Sequence, residues 1–162
     1  MSLSVVSARA SSDSVQADFD LAMGHLLGYA LVKANLQMRD RFEQSIRQPL
    51  GLSPVEFTLL TALVGNSGLT QKVLAGLLRI QPPNLTVIVA RLTRKGLLQK
   101  VRNRDDGRSH LLQLTTEGKA LQSRAYRISL HMEAPATEQL SEAERATLLD
   151  LLGRIGQPGR EN

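Results

Sequence analysis

Cysteine and tryptophan are absent from the 162-residue chain, and aromatic residues make up only 3% of it. The missing thiol excludes disulfides, thiolate nucleophiles, thiol redox sensing and Cys-ligated zinc together. No apolar run approaches the roughly 18 residues that a membrane span requires. The opening stretch MSLSVVSARASS has neither a charged n-region nor an apolar h-region, which argues against export. No phosphate loop, Gly-x-Ser-x-Gly elbow or His–carboxylate pair at helical spacing is present, so the expectation is a protein that is not an enzyme. His110 and His131 have no partner at i+4 and no acidic cluster beside them; neither a metal nor a cofactor is expected. With 42% apolar and 22% charged residues, the composition predicts a soluble, cytoplasmic globular protein.

What is present is a small positive excess in one place. The formal charge is +5, from 20 Lys+Arg against 15 Asp+Glu. Between Arg79 and Arg108 there are eight cations and only two acids, Asp105 and Asp106, so this segment carries +6 and the remainder sums to −1. Concentration of that kind is the footprint expected for a polyanion partner, although a solvated charged face gives the same count.

Apolar periodicity orders the chain. Residues 1–17 lack sustained periodicity and read as a mobile arm. Phe19, Met23, Leu26, Leu27, Ala30, Leu31, Ala34, Met38, Phe42 and Ile46 then recur at three- and four-residue steps, which predicts one helix from Asp18 to Arg47, uninterrupted until Pro49. Thirty residues of helix measure ~45 Å, whereas a compact globule of this size has a radius of gyration of only ~15 Å. The apolar stripe therefore wants a second surface, most simply that of a two-fold dimer. Phe19 and Met23 at one end, with Leu148, Leu151, Leu152 and Ile155 of the last helix, are the expected interface residues.

Ser53-Pro54-Val55-Glu56 is a capping box with proline at the first helical position, and it opens a helix through Leu59, Leu60 and Leu63. Thr70 caps a further helix, with Val73, Leu74, Leu77 and Leu78 expected on its buried side. After Ile80-Gln81-Pro82-Pro83, the apolar set Leu85, Ile88, Val89 and Leu92 gives the next helix one core face, closed by Gly96. Leu97–Arg102 and Ser109–Leu114 read as two strands around an Asp106-Gly107 turn. A helix capped at Thr115 or Thr116 and stopped by Pro135, and a second capping box at Ser141–Glu144, complete the chain.

Two short helices joined by a tight turn and followed by a two-stranded ribbon make a winged helix-turn-helix. The fold class is thus mainly α with a small β-hairpin. Its expected parts are an arm (1–17), a long dimerisation helix (18–48), the winged domain (49–115) and C-terminal dimerisation helices (116–157).

The stretches LGLSPVEFTLLTAL, LTQKVLAGLLRI and LTVIVARLTRKGLLQKVRNRDDGRSHLLQLTTEGKAL resemble the MarR family of bacterial transcriptional regulators. The wing carries the most specific match, Arg102, Asp106, Arg108 and Leu114-Thr115 followed by Gly118. Gly28-Tyr29 and Gly51-Leu52 match as well, and the resemblance extends over about residues 18–155. It implies a homodimer that binds double-stranded DNA at an inverted-repeat operator, acting as a repressor released by a small phenolic or aromatic ligand. A winged-helix protein-interaction module, or a constitutive repressor without ligand, remain the alternatives.

In such a motif the second helix leads with its N-terminal residues into the major groove. Helical geometry turns Pro83, Val87, Ala90 and Arg94 outward, flanked by Asn84, Thr86 and Arg91. Gln81 and Asn84 can hydrogen-bond adenine at two points, and Arg91 can address guanine or a phosphate. Thr70 joins this candidate set from the preceding helix. The sequence departs from common members at Val87 and at Pro82-Pro83, leaving an apolar strip suited to thymine methyls. Arg102, Arg104 and Arg108 belong to the wing, where the resemblance implies that Arg108 enters the minor groove and Asp106 orients it. The same resemblance draws attention to His25 and Tyr29, one turn apart on the first helix, as polar groups for an effector.

Overall fold

The computed structural model describes residues 14–66, 68–102 and 109–155. Two compact units divide the chain, one ending at Asp40 and the other beginning at Arg41. In the first, helix α1 covers residues 14–23 and is followed by a break at 24–26 and by helix α2, Leu27–Phe42. The expected unbroken helix is therefore corrected. It starts at residue 14, breaks where Gly24 and His25 form a turn, and restarts after Leu26, whose N–H donates to the Met23 carbonyl at 2.9 Å. Glycine weakens a helix interior because it loses the most backbone freedom on ordering.

Proline at 49 does not end the helix either. A wider, π-type turn, Glu43–Arg47, follows α2 and leads into Gln48–Leu50, with the Gln48 N–H bonded to the Glu43 carbonyl. A proline ring collides with the carbonyl four residues earlier and supplies no N–H. Widening the turn around Ser45 relieves both demands. Gly51 then stops the helix in the left-handed conformation, with φ of 64°.

The second unit contains helix α3 (Pro54–Leu63), strand β1 (Leu69–Thr70), helix α4 (Gln71–Leu78), helix α5 (Pro82–Arg94), strands β2 (Leu98–Arg102) and β3 (His110–Leu114), helix α6 (Thr116–Met132), a single turn α7 (Ala134–Thr137) and helix α8 (Glu142–Ile155). The expected caps form as read. Ser53 accepts from the Glu56 N–H while the Glu56 carboxylate accepts from the Ser53 N–H, and Thr70 and Thr115 accept from Val73 and Gly118. Ser141 and Glu144 repeat the reciprocal arrangement at α8.

The sheet has three strands in the order β1-β3-β2, all antiparallel. The expected hairpin forms, with Leu98 facing Leu114 and Lys100 facing Leu112. Strand β1 was not foreseen: two residues are too few for an alternation to show. Its Leu69 lies opposite Leu112.

The core lies in the second unit, with Ile46, Leu52, Leu59, Leu60, Leu74, Leu85, Val89, Leu92, Leu98 and Leu112 fully buried. Phe42 and Phe57 pack with ring centroids 5.8 Å apart. Of the expected core of α4, Leu74 is buried and Leu78 half-buried against the core, but Val73 and Leu77 are exposed and Ala75 is buried in their place.

The hinge between hairpin and α6 explains the Leu-Thr-x-x-Gly pattern. Leu114 is buried, and the Thr115 hydroxyl donates to the Gly96 carbonyl at 2.6 Å while capping α6. The Thr115 N–H donates to the Leu97 carbonyl at 3.1 Å. At 118 a Cβ would stand 2.1 Å from that same carbonyl oxygen, so only glycine lets α6 start this close to the sheet. Gly118→Ala should therefore cost about 2–3 kcal/mol as local overpacking, lowering Tm by roughly 5–10 °C in a thermal melt. An unchanged Tm would show that the close approach is dispensable.

Candidate nucleic-acid interface

Helices α4 and α5 are bent by 113° relative to each other, within the range of a helix-turn-helix pair. The turn between them begins at Arg79, the one non-glycine residue of positive φ (51°) among the described residues, and continues through Ile80 and Gln81. Arg79 ends α4, and the Ile80 N–H returns to the Ala75 carbonyl at 3.0 Å. A core face of Leu85, Val89 and Leu92 anchors α5, which forces the opposite face outward.

That outer face is where most of the expected residues lie. Gln81, Pro83, Asn84, Thr86, Val87, Ala90 and Arg94 are exposed, Val87 at 62%. Gln81 occupies the N-cap position without making a side-chain cap, so its amide remains available. Pro82 and Pro83 remove two donors from the first turn. Thr86 turns its hydroxyl back to the Pro82 carbonyl at 3.0 Å and accepts from Gln71 at 3.5 Å. Thr70, half-buried, uses its oxygen as the cap of α4. Arg102 is exposed at the end of β2, paired in register with His110. Arg104, Asp106 and Arg108 lie outside the described residues.

Arg91 lies exposed beside that face and also meets an acid. Its Nε sits 3.3 Å from the Glu56 carboxylate, and Lys95 Nζ lies 3.8 Å from the same oxygen. Glu56 is only 2% exposed. Lys95 also donates to the Gly51 carbonyl at 3.1 Å. Sequence reasoning took Glu56 for a capping residue and missed this second role. A signal existed: Glu56 shares the i, i+3, i+4, i+7 stripe with Leu59, Leu60 and Leu63 and so had to face inward.

The effector candidates fall in the first unit. His25 sits in the break, so the expected one-turn relation to Tyr29 does not hold. The Tyr29 hydroxyl donates to Asp20, which also ion-pairs with Lys33 and accepts from Gln16 at 3.0 Å. Phe19 meets the Tyr29 ring edge-on at 5.5 Å. Phe19 is exposed and Met23 half-buried, as are their expected counterparts on α8, with Leu148, Leu151 and Ile155 exposed and Leu152 half-buried. Elsewhere, in the second unit, an open cleft of about 700 Å³ is lined by Thr61, Val64, Gln122, Ser123, Tyr126 and Arg127. Gln122 is buried there and donates to the Thr61 hydroxyl at 3.3 Å.

A helix pair at this angle, an exposed polar and apolar face on the second helix, and an antiparallel wing define a winged helix-turn-helix protein. The sequence pattern of the MarR family matches residues 50–109. The multiple antibiotic resistance protein MarR of Escherichia coli is 30% identical over 122 residues, covering 74% of this chain and 83% of that one. Among solved structures, the transcriptional repressor CouR bound to a 23-mer DNA duplex superposes with a TM-score of 0.78 at 34% identity, over 83% of this chain and 95% of CouR. PcaV of Streptomyces coelicolor, solved with its natural ligand, gives 0.74 at 26% identity over 82% and 93%. The chain belongs to the MarR family. It is a DNA-binding transcriptional regulator and not an enzyme. Among the described residues, no single helix is long and apolar enough to cross a membrane.

The Asp20 cluster makes a pH window. Hydrogen bonds from Lys33 and Tyr29 lower the Asp20 carboxyl from 3.8 to about 2, while Asp20 raises both Tyr29 and Lys33 above their ordinary values. A depressed carboxyl contributes stability that is complete above its unfolded value and is lost as pH falls through about 2. Raised Tyr29 and Lys33 contribute stability below their unfolded values that is lost as pH rises through the folded ones. The α1–α2 contact should therefore be constant from about pH 5 to 9 and weaken in acid. Asp20→Asn in a Tyr126→Phe background should move the ultraviolet titration of Tyr29 downward. An unmoved titration would count against the contact.

Proposed function

We propose that the protein is a homodimeric repressor that reads an inverted-repeat operator and leaves it when a small aromatic acid, or the thioester of one, binds. The reading rests on one observation above others: the exposed face of α5 combines Gln81 and Asn84 with the apolar strip Pro83, Val87 and Ala90. Amide side chains discriminate adenine in the major groove, and small apolar groups discriminate the thymine methyl. Thr70, Thr86 and Arg94 border that face. Arg102, Arg104 and Arg108 provide the wing, with Arg108 in the minor groove and Asp106 orienting it. A narrow A·T-rich groove suits an arginine because its negative potential is enhanced.

The homodimer is inferred from apolar surface at both ends of the chain. Phe19, Leu21, Leu27 and Leu36 in the first unit are exposed, as are Leu148, Leu149, Leu151 and Ile155 on α8. Apolar area on this scale is costly to leave in water. Two copies related by two-fold symmetry would meet half-sites about 34–36 Å apart on one side of the duplex. The N-terminal helices, winged domain and C-terminal helices then divide the work between dimerisation and DNA binding, in the cytoplasm with the DNA.

For the effector, the cleft on the second unit is a better candidate than His25 and Tyr29, whose polar groups are taken or displaced. Arg127 offers a cation for a carboxylate or phosphate, Tyr126 an aromatic surface, and Gln122 a buried amide. The related CouR has been solved with p-coumaroyl-CoA, an aromatic thioester.

Replacing single operator thymines by deoxyuridine should weaken binding about fourfold at each position read by Val87 or Ala90, the worth of one buried methyl at ~0.8 kcal/mol. No loss at any thymine would sink the apolar reading of α5. A series of benzoates, cinnamates and their thioesters at a hundredfold excess over Kd should stabilise the protein by about 2.7 kcal/mol, a Tm rise of roughly 5–10 °C. Arg127→Ala should remove that rise. No stabilisation by any member would leave a constitutive repressor.

A further inference from the structure

We infer that Glu56 is a positioning residue for DNA recognition that holds Arg91 and Lys95 away from the phosphates, so that α5 reads sequence with little non-specific attraction. The inference rests on α5 being the recognition helix.

Glu56 occupies the third position of α3, where one oxygen, Oε2, accepts from the Ser53 N–H at 2.8 Å. The other, Oε1, is buried and has no hydrogen-bond partner. Its compensation is ionic: Arg91 Nε at 3.3 Å and Lys95 Nζ at 3.8 Å, one turn apart on α5. A buried carboxylate without partners is strongly disfavoured, whereas one facing two cations is held. The pull runs both ways. Arg91 and Lys95 remain about half exposed at their side chains, so solvent would accept them elsewhere, yet both are turned toward the acid.

Two consequences follow for binding. Rotation of α5 about its axis would separate both cations from Glu56, so the carboxylate fixes which face of the helix meets the groove. Non-specific affinity grows with each phosphate neutralised, adding ~0.9 to the salt slope of the binding constant. One carboxylate offsets one of the two charges, so the Glu56–Arg91–Lys95 group offers a phosphate a net +1 in place of +2. Among the described residues of α5, Arg94 has no ion pair and is left as its outward cation.

Glu56→Gln preserves an acceptor for the Ser53 N–H but removes the charge. It should steepen the log–log salt dependence for a random duplex by about 1, raise non-specific affinity severalfold at low salt, and lower the operator-to-random ratio about tenfold. A variant that loses both affinities in parallel, with an unchanged slope, would reduce Glu56 to a purely structural residue and overturn the inference. Adding Arg91→Gln to Glu56→Gln tests the same idea by leaving Lys95 as the one cation of the group. The random-duplex slope should return to that of the wild type, whereas a slope shallower by about 1 would mean Arg91 already contacts a phosphate and would likewise overturn it. A wild-type protein that prefers no sequence would instead defeat the functional reading, and is seen in the reference measurement of the same experiment.

Discussion

The winged domain depends on one buried charge. Glu56 joins three pieces of chain that would otherwise meet only through apolar contact: the loop after Gly51, the start of α3 and the last turns of α5. Hydrophobic burial of Leu59, Leu85, Val89 and Leu92 supplies most of the attraction, but it is non-directional. A stripe of aliphatic side chains tolerates rotation of a helix by tens of degrees. A carboxylate aimed at two cations one turn apart does not. Buried ion pairs often add little net stability and more specificity of arrangement, and arrangement is what a recognition helix requires.

A second constraint sets the wing. The hairpin and α6 are joined where Leu97 offers one carbonyl to the Thr115 N–H and crowds the space above residue 118. Leu114 enters the core, Thr115 caps the helix and ties Gly96, and Gly118 clears the approach. Those three residues act as one joint, which gives a physical account of why they recur as a pattern. Through Gly96 and Leu97 the joint also touches the end of α5, so wing and recognition helix share an anchor.

Much of this was legible from sequence, and the reason is locality. Capping boxes at Ser53–Glu56 and Ser141–Glu144, the threonine caps and the turn between the two wing strands all depend on residues within a few positions of each other. What escaped depended on distance or on a tie between rules. The stripe from Phe19 to Ile46 continues through Gly24 and His25, so periodicity could not see a break that backbone entropy makes. Pro49 read as a stop because the remedy, a widened turn at Glu43–Arg47, has no sequence signature. Strand β1 exists only by pairing with residues more than forty positions later. In α4, Val73 and Leu77 belong to the apolar stripe by count, but a helix of eight residues has room to bury only its central face.

Charge shows the same divide more sharply. The cationic excess between Arg79 and Arg108 falls on the second helix of the pair and on the wing, yet a count along the chain treats every cation as available. Two of the eight, Arg91 and Lys95, share one acid that lies outside the segment by more than twenty residues and offsets one of their two charges. Net charge is additive in sequence; the field at a surface also depends on which charges stand close together, and a buried carboxylate beside two cations reduces what they present. On the inference drawn for Glu56, the attraction left to α5 is smaller than its composition suggests, and the electrostatic share of binding falls more to the wing. A helix with weak phosphate affinity and an apolar, amide-bearing face discriminates by contacts it loses on the wrong sequence. Concentrating the cations on a separate ribbon lets the two kinds of binding be tuned apart.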